Sequence, residues 1–158
     1  MSDARFEDGR EKPMRLRAED AEDLEILSAV LQDALFGPED MSWIPARREF
    51  ALLLNRFRWE NAEGLAMRGQ PFERVRAILD IRDVQGVRSQ GIDRADADLV
   101  LSLLSMEWRM GPDGTGKVIL TLSGDGVVEI SAECINLTLT DVTRPYEAPS
   151  RLAPEHPE

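Results

Sequence analysis

Apolar residues recur at steps of three and four positions in residues 20–36. This spacing is typical of a helix that buries one face. Asp20 is a candidate N-cap at its start, and Gly37-Pro38 is a stop signal after its end. The apolar stripe consists of Leu24, Leu27, Val30, Leu31, Ala34 and Leu35. The pattern therefore predicts one helix over residues 20–36.

From residue 41 onward, apolar and polar residues alternate, which is typical of half-buried strands. The alternation predicts strands at 41–44, 49–60, 72–83, 87–92, 117–123 and 127–133. A turn is predicted at 45–48, and a polar loop is predicted at 61–71. Ser123-Gly124-Asp125-Gly126 supplies the positive-φ turn of a hairpin, so the last two strands are predicted to pair.

Two segments fit both kinds of structure. Residues 99–110 carry apolar positions at helical and at strand spacing, and we expect a short helical start followed by a strand. Residues 134–142 are predicted as a further strand, with a helix as the less favoured alternative.

One helix followed by short antiparallel strands predicts an α+β fold. We expect the N-terminal helix to pack on a curled antiparallel sheet, a roll or half barrel, of six to seven strands. A single domain is predicted over residues 14–143. The polar residues 1–13 and the proline-rich residues 144–158 are predicted to be disordered tails.

Composition narrows the classes of function. The chain has 158 residues, 42% of them hydrophobic, and a net charge of −11. This charge argues against binding to nucleic acid or to an anionic membrane. The one cysteine, Cys134, cannot form an internal disulfide, so a cytoplasmic location is expected. Its position after a strand predicts a buried side chain.

The sequence lacks the residues that several common catalytic and metal-binding motifs require. The chain's one histidine, His156, lies two residues from its end, which argues against His-dependent catalysis and zinc binding. Gly-Lys-Ser/Thr is absent, so no P-loop is expected. The acidic residues 93–98 lack the glycine and glutamate of a calcium loop and are predicted to begin a helix. We expect no metal, no cofactor and no catalytic residue.

Arginine is concentrated in residues 41–94, which carry ten basic and seven acidic side chains in an acidic protein. A pairing of strands 49–60 and 72–83 that places residue 58 beside 74, and 56 beside 76, predicts one four-arginine patch. Its members are Arg56, Arg58, Arg74 and Arg76. Arginine binds carboxylates and phosphates through two parallel hydrogen bonds. The patch is therefore a candidate site for an anion or a partner, and internal pairing with the protein's own acids is the alternative.

Four segments of the sequence resemble an uncharacterised bacterial family, Domain of Unknown Function 2948. They are 54–60, 72–75, 87–93 and 101–104, and the resemblance extends over about residues 14–146. It implies a bacterial cytoplasmic setting, and it implies no activity.

Three functions are consistent with these features. The first is a non-catalytic protein-binding or adaptor module. The second is a sensor or carrier of a small anionic metabolite at the arginine patch. The third is an enzyme that uses only carboxylates and arginines, with Glu60 or Asp80 as a base beside Arg76. A flat arginine surface favours the first function, and a concave one without an acid favours the second.

Overall fold

The computed structural model describes residues 13–148, which form eleven strands and two helices. The strands are β1 (Arg15–Ala18), β2 (Leu35–Phe36), β3 (Met41–Ile44), β4 (Glu49–Phe57), β5 (Glu73–Ile81), β6 (Val84–Gln90), β7 (Leu101–Met110), β8 (Gly116–Leu122), β9 (Val127–Ala132), β10 (Leu137–Asp141) and β11 (Tyr146–Glu147). The helices are α1 (Ala21–Val30) and α2 (Trp59–Met67).

The strands form one antiparallel sheet in the order β1-β10-β5-β4-β2-β7-β8-β9-β6, and it does not close into a barrel. In addition, β3 pairs with β4 and β11 pairs with β5. The first half of the sheet, from β1 to β4, and the second half, from β7 to β6, contribute to the same hydrophobic core. Helix α1 adds Leu24 and Leu27 to this core. The predicted α+β class and antiparallel sheet are therefore confirmed.

The predicted count of six to seven strands is too low, because short strands formed by distant pairing were missed. Strand β1, for example, precedes the helix and pairs with β10, more than a hundred residues later. Strands β2 and β11 have two residues each, too few for an alternating pattern to show. The helix is thus not the first element of the fold.

Helix α1 begins as predicted, since the Asp20 carboxylate accepts a hydrogen bond from the Asp23 N–H. It ends at Val30 and not at residue 36. Asp33 has a φ of +66°, and its N–H donates to the carbonyl of Leu103. The chain therefore leaves the helix to pair with β7, although Ala34 and Leu35 fit the helical spacing.

The loop predicted at 61–71 is instead mostly helix α2. The helix ends in a Schellman motif, in which the Gly69 N–H donates to Ala66 and the Gln70 N–H donates to Leu65. Gly69 has the required left-handed conformation, with a φ of +65°. The two glycines that suggested a loop are thus one interior helical residue, Gly64, and one C-terminal cap residue.

Other predicted elements are confirmed. Strand β3 has the predicted bounds, and β8 and β9 form the predicted hairpin around Gly124. Strand β10 confirms the strand alternative for 134–142.

The helical start predicted in 99–110 is wrong, because β7 is extended throughout. The acidic residues 93–98 lie in a loop of turns and do not begin a helix.

The predicted tails lie mostly outside the described residues. Within the C-terminal tail predicted from residue 144, β11 pairs with Arg74 and Glu73 of β5. Ordered structure therefore continues past residue 143.

Candidate functional site

Arg56 is the most deeply buried charged side chain among the described residues, with an exposed fraction of 0%. Its Nε and Nη2 donate to both oxygens of Asp141 at 2.9 and 2.8 Å. Its Nη1 and Nη2 donate to both oxygens of Glu60, each at 2.9 Å. One guanidinium thus joins β4, α2 and the end of β10, and its charge is compensated within the protein.

Burial and charge act against each other in this cluster. Burial lowers the pKa of Arg56, but the hydrogen bonds to Asp141 and Glu60 outweigh it and raise that pKa above its ordinary value. Burial likewise raises the pKa of Glu60, but the hydrogen bonds from Arg56 outweigh it, so that pKa is lowered. Arg56 and Glu60 therefore stay ionised near neutral pH.

The predicted pairing of β4 with β5 is wrong by one residue, and this separates the four arginines. Arg56 pairs with Val75, whereas Asn55 pairs with Arg76. A shift of one residue turns a side chain to the opposite face of a sheet. Arg56 consequently faces the core beside Leu54, and Arg74 and Arg76 face away from it.

The other three arginines also have different surroundings. Arg58 follows β4 and forms ion pairs with Glu73 and Glu60. Arg74 donates to the backbone carbonyl and the side chain of Asn55. Burial lowers the pKa of Arg74. Arg76 is exposed. The internal pairing that the sequence left open thus holds for Arg56 and Arg58, and the four residues do not form one patch.

A different group of arginines shares one surface, the outer face of the first half of the sheet. We call this surface the arginine face, and define it by Arg15, Arg17, Arg47, Arg76 and Arg82. All five are exposed. The register places Arg15 beside Thr140 and Arg17 beside Thr138, and it places these threonines beside Ile78 and Asp80 of β5. Because side chains two positions apart share a face, Arg76 and Arg82 belong to the same surface. Arg47 lines the same groove from the turn before β4.

The arginine face differs in charge from the rest of the chain. The groove in this face is lined by four of the arginines and by two carboxylates, Asp80 and Glu49, which leave a net charge of +2 in a chain of −11. Arg76 lies beside the groove, in a smaller pocket that it shares with Asp40. Arg82 forms ion pairs with Asp80 and Glu49, and Arg17 pairs with Glu19. Within residues 13–148, no ion pair or side-chain hydrogen bond compensates the other three arginines, which are Arg15, Arg47 and Arg76.

The centre of the face is an open groove of about 780 Å³. Ile78 and Val142 contribute apolar surface there, with exposed fractions of 38% and 49%. Thr138 and Thr140 contribute hydroxyls. An apolar centre with a charged rim is the usual arrangement of a protein-binding surface.

Part of this surface was accessible to sequence reasoning. Alternation placed Arg76 and Arg82 on one side of the strand predicted at 72–83, and this is correct. Arg15 and Arg17 also alternate with apolar residues. No strand was predicted at the start of the domain, so this signal was missed. Arg47 lies in a predicted turn, whose sequence gives no direction for its side chain.

Cys134 is exposed, so the expectation of a buried thiol is wrong. It lies in the bend between β9 and β10, where its Sγ is 3.5 Å from a carboxylate oxygen of Asp83. Partial burial, and then the hydrogen bond to Asp83, raise the pKa of the Cys134 thiol. The thiol is therefore accessible but weakly ionised near neutral pH.

Comparison with known proteins gives a family for the chain. Neither helix in the described residues is long and apolar enough to span a membrane. No curated protein matches the sequence, and no solved structure matches it. One family model matches residues 14–156, which confirms the resemblance found in the sequence. The chain therefore belongs to the family described as Protein of unknown function (DUF2948).

Proposed function

We propose that this protein is a non-catalytic binding module that holds a protein partner on the arginine face. The observation that carries the proposal is the exposure of five arginines on one side of the molecule, four of which line one groove. Three of the five have no ion pair or side-chain hydrogen bond in residues 13–148. Exposed like charges on one face of an acidic protein attract a partner of opposite charge. The apolar centre at Ile78 and Val142 adds surface for a partner to bury.

The same geometry gives less support to a carrier of one small anion. The three uncompensated arginines lie on separate parts of the face, so one carboxylate or phosphate contacts at most one of them. Arg17 and Arg82 are engaged by the protein's own acids.

An enzyme based on carboxylates also has less support. Both oxygens of Glu60 accept hydrogen bonds from Arg56 on the core side of β4, whereas Arg76 is on the outer side. Asp80 accepts a hydrogen bond from Arg82 with one oxygen, and its other oxygen is buried without a hydrogen-bond partner. A general base needs a free oxygen that the reacting proton can reach. Both oxygens of Glu60 are engaged, and the unpartnered oxygen of Asp80 is shielded from solvent, so the geometry favours neither residue.

We place the module in the cytoplasm, because its one cysteine is free and a reducing compartment is its ordinary setting.

Site-specific photo-crosslinking tests the proposed function. A photo-crosslinking amino acid is placed at Thr140 on the arginine face, and at Thr121 on the second half of the sheet as the control. We expect a defined protein to be crosslinked in its native cells from Thr140 and not from Thr121. The product should be lost in Arg15→Ala/Arg76→Ala and kept in Arg88→Ala/Arg109→Ala, which has the same net charge. Equal products from both positions, or none from Thr140, would exclude the arginine face as the binding surface.

A further inference from the structure

The spacing of the uncompensated arginines restricts the shape of the partner. Arg76 is level with Asn55 of β4, and Arg47 lies eight positions before Asn55. β4 begins at Glu49, six extended positions before Asn55, and Arg47 lies in the turn just before it. At about 3.3 Å per residue, this extended part separates Arg76 from the turn that carries Arg47 by roughly 20 Å. Arg15 is two strands from β5 and two positions out of step with Arg76, which gives a separation of about 12 Å.

These separations exceed the reach of one small anion and match an extended polypeptide. A span of roughly 20 Å corresponds to six steps of extended chain, or eight to nine residues with a further acid at each end. Between its ends, the span crosses Ile78 of β5 and the small side chain of Ala51 of β4, where the face carries no uncompensated charge. An occupant with acids at both ends and apolar residues between them therefore complements both the charge and the apolar surface of the groove.

Nucleic acid matches this surface less well. A phosphate backbone carries negative charge at every step, whereas the charges in the middle of the face are paired with one another. The chain's net charge of −11 also repels a long polyanion. No aromatic ring is among the residues that line the groove for bases to stack on.

We propose that the arginine face binds an extended acidic segment of a partner protein, about eight or nine residues long, with acidic residues at both ends and apolar residues in the centre. This inference rests on the proposed function and specifies what the binding surface holds. Arg76 meets acids at one end, and Arg47 meets acids at the other end. Arg15 contacts an acid from the side, and Ile78 and Val142 contact the apolar residues.

Fluorescence anisotropy with synthetic peptides tests the inference on the full-length protein. The probe is a nine-residue peptide with two glutamates at each end and valines among serines in the centre. The first control peptide has the same composition with the four glutamates in the middle, and the second has glutamines in place of glutamates. We expect the probe to bind at least tenfold more tightly than either control. Binding should weaken as salt is raised from about 0.05 to 0.5 M, because exposed charges are screened.

Variants locate the binding on the protein. Arg15→Ala/Arg76→Ala should weaken binding of the probe about tenfold, and Ile78→Ser should weaken it about threefold. Arg88→Ala/Arg109→Ala should leave the affinity within twofold. Thermal melts of each variant show that it is folded before its affinity is compared.

The outcomes separate the inference from the proposed function. Equal binding of the probe and the rearranged peptide would overturn the inference, as would tighter binding of inorganic tripolyphosphate or of a single-stranded oligonucleotide. The proposed function is retained if the Thr140 crosslink is still found when the probe fails to bind. If neither the crosslink nor peptide binding is found, both are wrong.

Discussion

Arg56 shows how one side chain can be charged, buried and structural at once. Its four charge-assisted hydrogen bonds to Asp141 and Glu60 replace the water that it loses on folding. Asp141 is also buried, with an exposed fraction of 8%, and accepts a hydrogen bond from the Met14 N–H before β1. The cluster therefore fixes the backbone just before β1 to the end of β10.

We expect Arg56→Ala to destabilise the protein by about 3–5 kcal/mol, because it leaves the Asp141 carboxylate buried without its cation. Arg76→Ala, at an exposed position of the neighbouring strand, should change the free energy of unfolding by no more than about 0.5 kcal/mol. Urea unfolding measures both values. Arg56→Lys keeps the charge but cannot make two bidentate contacts, so it should lie between them. Equal stability of Arg56→Ala and Arg76→Ala would contradict the structural role of Arg56.

Cys134 gives a second test at the residue scale. Because the hydrogen bond and the charge of Asp83 help to raise the pKa of its thiol, Asp83→Asn should lower that pKa and increase the thiolate fraction at pH 7. Asparagine tolerates the φ of +58° at this position. Alkylation of the native variant should therefore be faster than that of the native protein at pH 7. The two rates should converge at high pH, where both thiols are ionised.

The control for this test is alkylation in denaturant, where the two proteins should react at the same rate because Asp83 no longer contacts the thiol. Equal rates in the native state at pH 7 would show that Asp83 does not influence Cys134.

At the scale of elements, helix α2 provides a sharp test because the glycine inside it and the glycine that caps its C-terminus have different backbone conformations. Gly64 is inside the helix, and a Cβ there would contact only the flexible end of the Arg68 side chain, at 3.3 Å. Gly69 has a φ of +65°, and a Cβ there would meet nothing within 4 Å. Gly64→Ala should therefore stabilise the protein by about 0.5–1 kcal/mol, since alanine favours the helix.

Gly69→Ala should destabilise it by about 1–2 kcal/mol, through the left-handed backbone alone. Chemical unfolding of both variants measures the two values. Effects of the same sign would contradict the position of α2 or of its C-terminal cap.

Local patterns predicted some elements and not others. The β8–β9 hairpin was predictable because its two strands adjoin the turn that joins them. Strand β1 was not, because its partner β10 is more than a hundred residues away. The outer direction of Arg76 followed from alternation in β5. The direction of Arg56 did not follow, because both faces of β4 are apolar in residues 51–54 and only the register decides between them.

At the scale of the whole molecule, the distribution of charge on one face is opposite in sign to the net charge of the protein. The protein carries −11 overall and concentrates positive charge on the outer face of one half of its sheet. The inner side of that same half contributes Leu52, Leu79 and Leu139 to the core. A rigid, well-packed sheet thus presents the arginines at fixed spacing, which favours a partner of matching charge pattern.

The two halves of the sheet should unfold together, because their inner faces share one core. Leu52 of β4 and Leu120 of β8 belong to the same buried cluster, and the Ser28 hydroxyl of α1 accepts a hydrogen bond from the Met106 N–H of β7. Single-tryptophan variants test this. Trp43 on β3 reports on the first half, and Trp108 on β7 reports on the second.

With the other tryptophans replaced by phenylalanine, each variant is unfolded in urea and followed by fluorescence and by far-ultraviolet circular dichroism. In each variant we expect the two probes to give the same midpoint, as a two-state transition requires. The fluorescence midpoint of each variant is compared with the circular dichroism midpoint of the same variant. Changes in stability caused by the substitutions affect both midpoints equally and therefore cancel. A Trp43 midpoint that departs from the circular dichroism, while that of Trp108 does not, would mean that the half with the arginine face opens by itself. The fixed arginine spacing on which recognition of an extended segment depends would then be lost before the rest of the fold.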